Sequence, residues 1–405
     1  MTEERIRAAS ELLRRGPLID GHNDLAWALR EQAGYDLNRV DIAEPVTTTQ
    51  TDLPRMRRGG LRGQFWSVYA PSFWEPGRAI IATLEQIDFV HCMIQRYPAH
   101  LALALTAADV ERSVDEGRIA SLLGAEGGHS IGCSMGALRT LFALGVRYMT
   151  LTHNDSVPWA DSATDQPKAG GLTTFGRAVV AEMQRMGMLV DLSHVSPDTM
   201  QDALDEAEAP VIFSHSSARA LCNNPRNVPD DVLEALRSND GICMVTFVAR
   251  FVSTECMEWD EQLRAEMRNR GLDDGDRDLR DDFGRRWAGA PPQPHATLAQ
   301  VADHIEHVRE VAGLAHVGIG SDFDGAMSLP TGLEDVSCYP NLVAELLSRR
   351  WSDDECLALA GGNLLRVLRS AEDVASTLAK SRPVSLASIE DLDGLPARQS
   401  LSGGG

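Results

Sequence analysis

The chain has 405 residues, 43% of them hydrophobic, and 59 acidic side chains against 38 basic ones give a formal charge of -21. That balance argues against nucleic acid and anionic membranes as partners, since both demand a basic face; the acidity otherwise reads as solubility. No run approaches the roughly 18 apolar residues of a membrane helix, and the first fifteen residues are charged and amphipathic, unlike a secretory signal. Seven cysteines without CxxC spacing read as reduced thiols, so a cytoplasmic location is expected.

After a first helix, Pro17 to Asp24 reads as a short strand ending in His22-x-Asp24. Alternate residues of an extended chain face the same way, so these two could grip one ion. A second strand is expected over 64–70, then a long helix over 76–97 with Ile80, Leu84, Ile87 and Val90 at helical spacing, and a shorter helix over 107–118. The apolar run 120–126 reads as a strand closing on Glu126, a carboxylate costly to bury unless paired or bound to a metal. Helix 134–144 and strand 147–153, which ends in His153, lead into a Pro-, Asp-, Gly- and Ser-rich loop. Helix 174–187 precedes two near-identical strands, 189–194 and 210–215, each finishing in Ser-His and separated by a helix over 198–208. An irregular stretch, 219–228, contains Arg226; helix 229–238 and strand 241–247 follow. The charged and Pro-rich segment 254–296 reads as a surface insertion. Helix 297–313, strand 316–322 ending in Asp322, and helices over 339–349 and 353–368 complete the pattern.

Eight strands separated mostly by helices close a (β/α)8 TIM barrel, so a single α/β domain over 1–380 is expected, followed by a tail over 381–405. In such barrels ligands and catalytic groups gather at the carboxyl ends of the strands. Six strands end in metal-competent or titratable residues: His22 with Asp24, Glu126, His153, His194, His215 and Asp322. The other seven histidines, at 91, 100, 129, 295, 304, 307 and 316, read as surface or packing residues.

Nitrogen and carboxylate ligands without cysteine suit zinc ahead of manganese or iron. Three ligands suffice for one ion, so this many candidates point to two, about 3.5–4 Å apart. A carboxylated lysine cannot bridge them, because the only lysines, Lys168 and Lys380, end no strand. Glu126 is therefore assigned as the bridge. One Zn2+ takes His22, Asp24 and Glu126; the other takes Glu126, His194 and His215. A water or hydroxide shared between the ions is the expected nucleophile. Asp322 remains as general base and acid, and His153 as an electrophile near the substrate oxygen.

Taken together, His22-x-Asp24, Glu126-Gly127-Gly128, His153-Asn154-Asp155, the two Ser-His twins, Arg226-Asn227-Val228-Pro229-Asp230 and Gly320-Ser321-Asp322-Phe323-Asp324-Gly325 resemble the membrane dipeptidase (renal dipeptidase) family, peptidase family M19 of the amidohydrolase superfamily. The resemblance covers about residues 15–370 and reads as that of a soluble bacterial member. It implies a distorted (β/α)8 barrel, two zinc ions, a homodimer, and hydrolysis of dipeptides, including those with a C-terminal D-residue. It also implies metal ligation by His22, Asp24, Glu126, His194 and His215. His153 becomes a contact to the scissile carbonyl, Arg226 the partner of the substrate carboxylate, and Asp322 the proton-transfer group. Where the family often has an aromatic residue after this strand's Phe247, Val248 stands here. An alternative is another binuclear amidohydrolase acting on N-acyl amino acids or lactams.

Overall fold

The computed structural model describes residues 2–394 apart from 276, 288 and 289. Its sheet is built from β1 (Leu18–Asn23), β2 (Leu61–Tyr69), β3 (Leu101–Leu103), β4 (Ile119–Glu126), β5 (Val146–Thr150), β6 (Leu189–Asp191), β7 (Ile212–Phe213), β8 (Ile242–Val245) and β9 (Val317–Ile319). Eight of them follow one another in the order β1-β2-β4-β5-β6-β7-β8-β9, every pair parallel. A parallel bridge between Asn23 and Phe323 brings the two ends of the sheet together, with Asp24 N donating to Phe323 O at 2.9 Å and Asp322 N to His22 O at 3.2 Å. The result is the α/β barrel expected from the strand count.

Two features differ from the sequence reading. The first is β3, three residues that pair with β4 over 119–121 before β5 takes over the same edge at Leu123. A Leu-Ala-Leu run is too short to carry a period, so nothing in the sequence separates it from the connection after the helix Pro76–Arg96. The second is strand length. The ladders of β5, β6, β7 and β9 stop at Thr150, Asp191, Phe213 and Ile319, before His153, His194, His215 and Asp322. His194 and Asp322 then take left-handed backbone, with φ of 70° and 66°. Such turns re-aim side chains that strict alternation would have sent to either face of the sheet.

Strand residues alternate between two cores. Ile19, Phe65, Leu122, Tyr148, Leu189, Ile212 and Met244 fill the inside of the barrel. Trp66, Leu123, Met149, Val190, Phe213, Val245 and Ile319 pack outward, among the core residues contributed by the surrounding helices. Gly124 has a specific reason to be glycine: a Cβ there would lie 2.0 Å from the Tyr148 ring, its partner in register on β5. The missing side chain lets that phenol cross the barrel.

The segment after β8 continues in helices Ala249–Val252, Thr254–Asn269 and Arg277–Arg286. Asp260 ties them down, accepting from Arg250 at 3.1 Å and Arg264 at 2.7 Å. Val248 packs with Phe251 and Ala326. At the other end, the helix Asn363–Ser381 runs past the expected limit of 368. Within the expected tail, a short helix, Ile389–Asp393, buries Ile389, and Asp393 caps the backbone N–H of Phe175; the remainder, 395–405, lies outside the described residues.

Candidate active site

Glu126, the last residue of β4, is buried at the carboxyl mouth of the barrel, and its two oxygens face different groups. Oε1 lies 3.1 Å from His194 Nε2, 3.5 Å from His215 Nε2 and 3.6 Å from His153 Nε2. Oε2 lies 3.5 Å from His22 Nε2 and accepts from Ser67 Oγ at 3.0 Å. His22 Nε2 is in turn 3.3 Å from Asp24 Oδ2. All six strand-end positions thus converge, since Asp322 joins His22 and Asp24 in one group of potential ligand atoms lying within 4.8 Å of one another. Two further groups of this kind are His22, Glu126 and His215, and Glu126, His153 and His194. Proximity therefore sets His215 against His22, with ring centroids 3.9 Å apart, and His153 against His194, at 4.2 Å.

Hydrogen bonds behind the rings decide which nitrogens carry protons. Ser214 Oγ donates to Asp191 Oδ2 at 2.6 Å, so it accepts from His215 Nδ1 at 2.8 Å. Tyr148 Oη, admitted by Gly124, donates to Gly21 O at 3.2 Å and accepts from His22 Nδ1 at 2.9 Å. In the neutral form of each ring the lone pair then lies on Nε2, toward the carboxylates. His194 and His215 bring two Nε2 atoms within 3.0 Å of each other, and His22 Nε2 is buried without a hydrogen-bond partner among the described residues. Electron-rich atoms crowded into a buried pocket are unfavourable unless positive charge lies among them. These nitrogen and oxygen donors fit one or more divalent transition-metal cations.

The protonation tendencies mark the place where positive charge is favoured: burial opposes it, but Tyr148, Glu126 and Asp24 raise the His22 imidazole well above its ordinary value. Burial alone would raise the Glu126 carboxyl, but His22, His153 and His194 around it hold it well below the usual range. Burial, reinforced by the neighbouring Asp24 carboxylate, pushes Asp322 well above its ordinary value. Burial pulls the His153 imidazole down to about 4, with His129 and Arg226 adding to the effect, so this ring is neutral at neutral pH.

Arg226 lies beside this cluster, buried and held down to about 10 by the loss of solvent. Its Nη1 has no hydrogen-bond partner among the described residues, and its guanidinium lies 5.3 Å over the Phe251 ring. Its loop is clamped to the backbone after β8: Asn224 Nδ2 donates to Arg250 O at 3.2 Å and Asn227 Nδ2 to Phe251 O at 2.7 Å. A buried guanidinium with donors to spare suits a carboxylate ligand.

The family model for membrane dipeptidases, peptidase family M19, matches residues 6–382. The chain belongs to this family. It is 44% identical to Dipeptidase aclJ of Aspergillus oryzae over 386 residues, covering 92% of this chain and 82% of that protein. It is 40% identical to Dipeptidase 3 of Mus musculus over 391 residues, 95% of this chain and 71% of that one. The crystal structure of the probable dipeptidase PvdM from Pseudomonas aeruginosa superposes with a TM-score of 0.79 at 24% identity, covering 92% of this chain and all of the other. The M19 enzyme is thus a metallo-dipeptidase, and the metal dependence of its family agrees with the donor set at the barrel mouth. Despite the family's name, no described helix is long and apolar enough to cross a membrane.

Several residues of this M19 site escaped the sequence reading. Asp191 accepts from Thr150 Oγ1 and Ser214 Oγ, both at 2.6 Å, and from the backbone of Ser193 and Ser214 at 3.1 and 2.8 Å. Asp20 similarly holds Ser321, by N at 2.8 Å and Oγ at 2.5 Å, and the Tyr339 hydroxyl. An aspartate inside an otherwise apolar strand, as in Leu18-Ile19-Asp20 and Leu189-Val190-Asp191, is the signal that was available. Replacing Asp191 by Ala leaves buried donors unmet, and we expect a loss of about 3 kcal/mol or more in urea unfolding. His129, by contrast, only bonds Ala70 O at 2.8 Å, and His304 and His316 bond backbone groups, as packing residues do.

Proposed function

We propose that this enzyme is a zinc-dependent dipeptidase that hydrolyses L-Xaa-L-Xaa and L-Xaa-D-Xaa dipeptides at the mouth of the barrel. The observation that carries the reading is the divided aim of Glu126, one oxygen toward His194 and His215 and the other toward His22, with Asp24 beyond. His22, Asp24 and Glu126 would hold one cation, and Glu126, His194 and His215 a second. Bound there, two zinc ions would supply Lewis acidity and lower the pKa of a shared water.

The chain's own groups do the rest. Arg226 binds the substrate's terminal carboxylate and so fixes how far the peptide enters. Neutral His153 donates a hydrogen bond to the scissile carbonyl oxygen as negative charge develops there. Asp322 takes the proton from the attacking water and returns it to the departing amine nitrogen, which completes hydrolysis to two amino acids. Seven free thiols, four of them buried, support action in a reducing, cytoplasmic setting. The homodimer implied by the family resemblance completes the proposal and is checked by sedimentation.

The test is a panel of L-L and L-D dipeptides and N-acyl amino acids, run with zinc-loaded enzyme. Turnover of N-acyl amino acids without any dipeptide would sink the assignment. The carboxylate role has its own check. Arg226→Ala is expected to lower kcat/KM about 100-fold for a free dipeptide, the worth of about two charge-assisted hydrogen bonds. The same change should have little effect on the C-terminally amidated dipeptide, measured in parallel. Equal losses on both substrates would remove Arg226 from carboxylate binding.

A further inference from the structure

A second feature lies at the opposite end of the barrel. A cavity of about 250 Å3 opens where β2 and β4 begin, at Leu61 and Ile119. Glu126 is seven residues along β4 from Ile119, so the cavity is about 23 Å from the active site. Its wall is cationic: Arg14 follows the first helix, Arg57 and Arg58 end the helix Leu53–Arg58, and Arg62 lies on β2, with His100 beside them. Its floor is apolar and buried, made by Leu13, Leu61 and Ile119.

Among the described residues no carboxylate lines this cavity, in a chain with 59 acidic residues. None of the four arginines makes an ion pair with a described residue. Arg58 donates only to Ser337 Oγ, at 3.1 Å, and Arg57 lies against the His100 ring, whose imidazole is held below its ordinary value by burial and by Arg57. The contrast with Arg55, on the same short helix, is direct: it bonds Asp52 at 2.7 Å and reaches Asp335 at 3.5 Å. Basic residues in a helix's last turn suit its carbonyl end, but Arg14 and Arg62 come from other elements and converge on the same space. Uncompensated guanidinium groups around one hollow repel each other, and their planar forks match the oxygens of a phosphate.

We propose that this cavity binds a phosphate dianion, free or as the monoester of a small molecule, at a site separate from the dipeptidase centre. The cavity exceeds a phosphate group in size, and its apolar floor suits the organic part of an ester. Binding relieves the mutual repulsion of the arginines, so it stabilises the fold by an amount that grows with the logarithm of ligand concentration above Kd.

The experiment is a thermal-shift titration of the metal-loaded full chain with inorganic phosphate, with glycerol phosphate, and with chloride at matched ionic strength. A rise in Tm beyond that of chloride, growing with the logarithm of concentration, is expected with the ester, and its presence or absence with free phosphate tells which source the site accepts. In Arg57→Ala/Arg62→Ala the apparent affinity falls at least about tenfold, the loss of one or more charge-assisted hydrogen bonds, while kcat/KM for a dipeptide stays unchanged. Arg14→Gln/Arg58→Gln, altered at exposed positions, gives the same loss and covers the case in which the first pair does not fold. Undiminished phosphate affinity in a folded variant, or no shift beyond chloride in the parent protein, overturns the proposal.

Discussion

Asp322→Asn is expected to leave the cation content of the enzyme unchanged and to lower kcat by at least about a hundredfold, the usual worth of the general acid-base role proposed for this residue. The variant is built to fold. Asp322 has a φ of 66°, a conformation asparagine adopts as readily as aspartate, and its bond across the barrel seam, Asp322 N to His22 O, is made by the backbone. The amide keeps the shape and one acceptor of the carboxylate but cannot carry a proton between water and amine. Parallel elemental analysis and dipeptide kinetics separate the two effects. Wild-type turnover in this variant would remove Asp322 from the chemistry; loss of metal with the activity would make it a ligand instead.

Glu126→Gln is expected to do the reverse, emptying the site before it touches proton transfer. Both oxygens of Glu126 are engaged toward histidines on different strands, so the neutral isostere weakens two groups of donors at once. Loss of even an indirect metal contact commonly costs about 10- to 100-fold in affinity, and we expect more than about a hundredfold here. After dialysis the variant would retain less than the parent's metal, and activity would follow occupancy, recovering in part at high free zinc. The fold should survive, since Ser67 Oγ can still donate to the remaining carbonyl oxygen. A variant with full metal and full activity would end the idea that Glu126 lies at the centre of the site.

Both variants probe residues that are legible in the sequence. Glu126 stands out in the chain because an acid that closes an apolar strand has few explanations other than pairing or ligation. Asp322 stands out for the same reason at the end of the last strand. The supporting set was harder to see. Tyr148 reads as one more aromatic core residue, and nothing in its neighbourhood announces that its hydroxyl reaches His22. Ser214 and Asn227 are common loop residues whose partners, Asp191 and the Phe251 carbonyl, are more than twenty positions away. Such contacts depend on register and on turns, and periodicity carries no information about either.

The pattern of apolar runs and helical spacings led, from the sequence alone, to a parallel barrel with the imidazoles and acids at its carboxyl mouth, because burying every run leaves few other arrangements, and the family resemblance added Arg226. Only the tertiary structure decided which ring stands against which, which hydroxyls back the His22 and His215 rings, and that the ladders stop short of the histidines they present. It alone gathered Arg14, Arg57, Arg58 and Arg62 around one hollow. The physical reason is common to all of these: burial of apolar surface is non-directional and can be read one residue at a time, whereas hydrogen bonds and charges act at a few ångströms between groups that the chain brings together only when folded.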